Sequence, residues 1–122
     1  MDDRELLERA AKAYGDQNVR IDHAGGRRWI GRNEDLGCDV MVTWNPLTDD
    51  GDALRMAVKL RLNIQHYVRS TGVICVQAVI DWGMGNDAFH EEHGDSPSAA
   101  TRRAIVRAAA EIGKSMQEAE NV

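Results

Sequence analysis

The stretch Leu62-Asn63-Ile64-Gln65-His66-Tyr67-Val68-Arg69-Ser70-Thr71-Gly72-Val73-Ile74-Cys75-Val76-Gln77-Ala78-Val79-Ile80-Asp81-Trp82 decides the fold. Its two runs, 62–69 and 73–82, are rich in β-branched and aromatic residues and flank Ser70-Thr71-Gly72, a connection short enough to force an antiparallel hairpin. If Arg69 pairs with Val73, then Leu62 lies opposite Ile80, Ile64 opposite Ala78, His66 opposite Val76 and Val68 opposite Ile74. That face is almost wholly apolar. The other face pairs Asn63 with Val79, Gln65 with Gln77 and Tyr67 with Cys75, a mixture suited to partial cover.

Downstream of the hairpin, residues 83–94 form a polar, glycine-punctuated segment that reads as a loop. Ser96-Pro97 then starts a helix, with serine at the cap and proline at the first helical position. Ala100, Ala104, Ile105, Ala108, Ala109, Ile112 and Met116 give it a stripe of mostly small residues, and Arg102, Arg103, Arg107 and Glu111 are expected on its solvated side. Upstream, Trp44 to Asp52 opens another helix whose Leu54, Ala57 and Val58 are spaced for one buried face, and which ends near residues 60–61. Asp49 is its expected cap, and Asp52, three residues on, is placed to reach back in a capping box. Still earlier, 27–32 and 38–44 form a hairpin around 33–37, with Cys38, Val40, Val42 and Trp44 on the buried face and Asp39, Met41 and Thr43 on the other. The first helix runs from Asp2 to Tyr14 on a stripe of Leu6, Leu7, Ala10, Ala11 and Tyr14, and Gly15 is its C′ residue.

The order is therefore helix, two strands, helix, two strands, helix. It predicts an α+β protein, an α-β-α layered sandwich around an antiparallel sheet, with one domain over residues 1–117 and a frayed tail over 118–122. At 122 residues, with 43% hydrophobic and 29% charged residues, the chain has the balance of a single globular domain. Lys plus Arg is 15 against 20 Asp plus Glu, a net charge of −5 that argues against a nucleic-acid partner. Two cysteines, Cys38 and Cys75, make no disulfide framework and no C-x-x-C pair, so a reduced, cytoplasmic location is expected. The acidic, amphipathic N-terminal stretch is unlike a signal peptide, and no apolar run reaches membrane-spanning length, so no membrane association is expected.

Few residues carry chemistry. Gly83-Met84-Gly85-Asn86-Asp87-Ala88 matches the dinucleotide fingerprint in letters but lacks its βαβ frame, so flexible glycines in a loop explain it better. His90-Glu91-Glu92-His93, with Asp87 and Asp95, holds enough imidazole and carboxylate for a metal, with His90, His93 and Asp95 as the candidate ligands. It is not H-E-x-x-H, and a solvated charged loop is the simpler reading. His66, on the apolar face of its strand, reads as a sheet-margin histidine with a ring nitrogen on backbone. His23 sits in a loop sequence, and Cys75 reads as a buried small hydrophobe. Asp49, Asp50 and Asp52 lack the spacing of a calcium loop and suit a helix start. An arginine phosphate face of Arg27, Arg28, Arg102, Arg103 and Arg107 is outweighed by solvation of the same residues. No catalytic residue and no cofactor follows from these patterns, which favours a non-enzymatic protein.

Two blocks carry a family resemblance. Trp44-Asn45-Pro46-Leu47-Thr48-Asp49-Asp50-Gly51-Asp52-Ala53-Leu54-Arg55-Met56-Ala57-Val58, with Ala99-Ala100-Thr101-Arg102-Arg103-Ala104-Ile105-Val106-Arg107-Ala108-Ala109-Ala110, resembles the small phage and prophage proteins of the phage α-β-α sandwich domain family. The resemblance extends from the first helix to about Gly113 and implies a three-layer sandwich and a phage or prophage origin, hence a bacterial host cytoplasm. It brings no established activity and no site residue, and the longer segment 83–93 departs from it.

Physically, the Asn45-Pro46 pair is a rigid strand-to-helix corner with Trp44 packed beneath. Two functions are consistent with this sequence. One is a binding domain for a host or phage protein, or a small homo-oligomer, motivated by the mixed sheet face and by Trp29, Trp44 and Trp82. The other is a small-ligand or metal-binding activity at residues 83–95.

Overall fold

The computed structural model describes residues 2–22 and 25–121. Along them lie α1 (Asp3–Tyr14), β1 (Val19–Asp22), β2 (Gly25–Asn33), β3 (Cys38–Thr43), α2 (Asp50–Lys59), β4 (Asn63–Val68), β5 (Ile74–Asp81), β6 (Asn86–Glu92) and α3 (Pro97–Glu120). The fold is α+β and layered, as the periodicities indicate. The strands, however, make two antiparallel three-stranded sheets, β1-β2-β3 and β4-β5-β6, and β1 and β6 are additions to the expected order.

Strand β6 occupies most of the segment read as a loop. Its residues are too polar for a periodicity reading, yet β5 supplies a full ladder, from Cys75 opposite Glu92 to Asp81 opposite Asn86. Its charges are answered by α3: Arg107 bonds both the Glu91 carboxylate and the His90 carbonyl, and lies 5.5 Å from the Phe89 ring centre. The β4–β5 register is the one expected, with Ile64 opposite Ala78, His66 opposite Val76 and Tyr67 opposite Cys75. Arg69 closes it by donating its N–H to the Val73 carbonyl at 2.9 Å.

Helix ends follow their caps. Asp2 accepts the Glu5 N–H at 2.8 Å, Ser96 Oγ accepts the Ala99 N–H at 3.1 Å, and Gly15 turns the chain at φ 65°. At the Trp44 corner, Asn45 Oδ1 accepts the Leu47 N–H at 2.9 Å, and Trp44, 1% exposed, stacks on Tyr14 with ring centres 6.0 Å apart. Asp49 caps α2 by accepting the Asp52 N–H at 2.8 Å, but Asp52 reaches past the cap to the Asn45 N–H at 3.0 Å.

That tether sets the rotation of α2 and corrects its expected face. The buried residues are Asp52, Ala53, Met56 and Ala57, whereas Leu54 and Val58 point to solvent. The first hairpin is also more open than expected: along β3 only Val40 and the following Trp44 are shielded, and Cys38 and Val42 are exposed.

The core has two clusters. One joins α1, Trp44, α2 and the Ile105–Ala110 side of α3; the other joins Val76, Ala78 and Ile80 of β5 to Ala100, Ala104 and Ala108 of α3. Leu62 and Ile64 touch both. Burying an aliphatic side chain such as Val76 contributes about 1.5–3 kcal/mol relative to leaving it exposed. Close approach of α1 to α3 depends on Gly113, where any Cβ would overlap the Arg9 carbonyl.

The arginines of α3 are ties rather than a solvated face. Arg102 donates to the Leu47 carbonyl at 2.8 Å and to Asp50 at 2.6 Å, Arg103 reaches Asp3 at 3.1 Å, and Arg107 holds β6. The helix continues through 118–120, the stretch read as a tail, and Lys12 Nζ bonds Glu120 there at 2.8 Å. No helix among the described residues is long and apolar enough to cross a membrane.

Candidate binding site

Helices α1 and α3 shield much of the interior, but α3 lies over β5 and β6 and leaves β4 at the margin. A cleft of about 380 Å³ opens there, between α2, the first turns of α3 and the helix-facing side of β4. Ala53 and Ala57 of α2 are too small to fill it, and Ile64, Leu54 and Ile105 form its walls. Arg102 fixes the width by pinning the start of α2 to α3 through Leu47 and Asp50. The lining is chiefly apolar. Two of its polar groups are engaged: Thr101 donates its hydroxyl to the Pro97 carbonyl at 2.8 Å, and Asp50 is paired with Arg102.

His66 stands at the rim. Its Nδ1 faces Nε2 of His93 at 2.9 Å with the rings edge-on at 74°, so its partner is another imidazole and not the expected backbone group. The apolar strip continues past it. Val68 and Ile74, directly opposite each other, are 65% and 49% exposed, and on α2 the neighbouring Leu54 and Val58 are 63% and 68% exposed.

The other face of β4-β5-β6 is a polar ladder. Gln77 donates to Gln65 at 2.6 Å, the Tyr67 hydroxyl meets His90 Nδ1 at 2.6 Å, and Arg69 meets Glu92 at 3.2 Å. Hydrogen bonding to Tyr67, reinforced by Cys75 and Glu92, pushes the Arg69 guanidinium above its ordinary value, so it stays charged in any working buffer.

The candidate metal ligands do not converge. His90 is on the ladder face with Tyr67, His93 meets His66 on the helix side, and Asp95 follows beyond Gly94; among the described residues no three His, Cys, Asp or Glu side chains are grouped to hold a metal ion. His23 lies outside the described residues. Cys75 is fully buried and on the face opposite His66, and Cys38 is exposed; both are free. The Gly83–Ala88 segment spans the β5–β6 turn, closed by the Trp82 N–H on the Gly85 carbonyl at 2.9 Å, and the first residues of β6. It leads into an antiparallel strand rather than a nucleotide-binding helix.

The cleft itself escapes a sequence reading because its floor is made of alanines indistinguishable from core. Leu54 and Val58 were the available signal: an apolar pair one step out of phase with the Ala53, Met56 and Ala57 side of α2. No family model, no curated protein and no solved structure matches the chain.

Proposed function

We propose that the chain is a non-enzymatic accessory protein of phage or prophage origin that binds a host or phage protein through the α2–α3–β4 cleft, in the cytoplasm of the bacterial host. The origin rests on the resemblance of the Trp44–Val58 and Ala99–Ala110 blocks alone. One observation supports the binding reading: the cleft lining is chiefly apolar, and beside it Leu54, Val58, Val68 and Ile74 are each about half exposed or more. Apolar patches that run on into a groove mark partner sites more often than idle surface. A ligand reading of residues 83–95 has less support, since most of that segment is spent in β6 and its two histidines face different partners.

The test places a photo-crosslinking residue at Leu54 or, as a control, at Asp35 on the far β2–β3 turn. Host lysate should give a discrete adduct from position 54 that Ala57→Arg abolishes. Equal labelling from both positions, or labelling indifferent to Ala57→Arg, would remove the cleft from consideration.

A further inference from the structure

We propose that a second copy of the chain pairs antiparallel with the free edge of β4, beside the cleft; the inference rests on reading this side of the molecule as a binding surface. Among the described residues, β4 of the β4-β5-β6 sheet pairs with a strand on one side only. The Arg69 N–H points to β5, so by alternation Asn63, Gln65 and Tyr67 also point to β5, while the N–H and C=O groups of Ile64, His66 and Val68 point outward. An edge of this kind is normally guarded by charge, proline or a bulge. The other edges are: β6 carries Asp87, Glu91 and Glu92, β1 carries Arg20 and Asp22, and β3 carries Asp39. Between Asn63 and Val68 there is no charge, no proline and no break in register.

Two-fold symmetry restricts the pairing. The axis must pass through a residue opposite itself, and only an outward-facing residue there exchanges both hydrogen bonds with its mate. Centred on His66, the pairing sets Ile64 against Val68 of the other copy, twice, and gives every outward N–H and C=O of Ile64, His66 and Val68 a partner. Centred on Gln65 it would bring Leu62 to the edge, whose N–H is already spent on Ala57. In the His66 register Arg69 lies opposite Asn63 and Arg61 opposite Thr71, so no like charges are directly opposed, and Arg69 of one copy is diagonal to Arg61 of the other. The product is a continuous sheet of six strands, three from each copy, with both clefts on the same side and adjacent across the axis.

Two measurements test this on the full chain. Sedimentation velocity should show a dimer, and Val68→Lys, at a position already largely exposed, should weaken it by about tenfold or more by setting a lysine against Ile64 at both ends of the pair. Separately, in a Cys38→Ser background, His66→Cys should give a disulfide-linked dimer under mild oxidation. Facing residues of a hydrogen-bonded antiparallel pair are about 5.5 Å apart at Cα, inside the roughly 4.4–6.8 Å a disulfide spans. Gln65→Cys, off the axis, should link far less. A chain that remains monomeric, a dimer indifferent to Val68→Lys, or equal linking at 65 and 66 would overturn the pairing. The crosslinking at Leu54 would then still decide whether the cleft binds some other protein, so the two failures are distinguishable.

Discussion

Gly113 is where α1 crosses α3, with the Arg9 carbonyl resting where a side chain would begin. Intrinsic helix propensity favours alanine over glycine by about 1 kcal/mol. Steric overlap opposes it, and overpacking of this kind costs about 1–3 kcal/mol. Gly113→Ala should therefore lower the urea midpoint without changing its slope, and an unchanged midpoint would mean that the helices are farther apart than they are here. Asp52 poses the complementary case. It is 5% exposed and its carboxylate answers both the Asn45 N–H and Arg55. Removing it leaves the corner amide without its charged acceptor, so Asp52→Ala should cost about 2 kcal/mol, and Asp52→Asn less, measured by the same denaturation curve. The sequence showed one of these residues in part and the other not at all. Asp52 stood out as a capping-box partner, but its true target, Asn45, is set by the folded path of the Trp44 corner. Gly113 gave no sign, since a close crossing depends on which helix arrives to meet it.

At the scale of elements, the rotation of α2 distinguishes a surface built for contact from one built for stability. Leu54 and Val58 are exposed, so Leu54→Gln with Val58→Gln should change the unfolding free energy by no more than about 0.5 kcal/mol, while Val58→Gln alone should weaken the adduct formed from a crosslinker at position 54. A large loss of stability would instead restore them to the core. Ser96→Ala removes the acceptor for the Ala99 N–H at the start of α3 and should cost about 1 kcal/mol by thermal unfolding. Caps of this kind were readable because their hydrogen bonds lie within four residues of sequence. The β4–β5 register was readable for a similar reason, a three-residue connection leaving few alternatives. Strand β6 was not: a polar edge strand takes its conformation from a ladder and from Arg107, neither of which leaves a period in its own residues. Nor did the arginine ties of α3, since a basic residue that reaches a distant carboxylate looks the same in sequence as one that reaches water.

For the whole molecule, the two sheets differ in how firmly they are held. β5 lies against α3 with Val76 and Ala78 fully buried, whereas β3 is exposed along nearly its whole length and β2 is interrupted near Trp29 and Gly31. Hydrogen exchange should accordingly show the β2–β3 ribbon opening well before β5 and α3, and equal protection of the two sheets would contradict that ordering. Helix α3 also has a consequence for synthesis. It supplies one wall to each apolar cluster, and it is translated after every strand and helix it closes. A nascent chain halted before residue 97 presents both halves of the interior to water with nothing to lay against them, so ribosome-bound intermediates of that length are the species on which a holding chaperone would act.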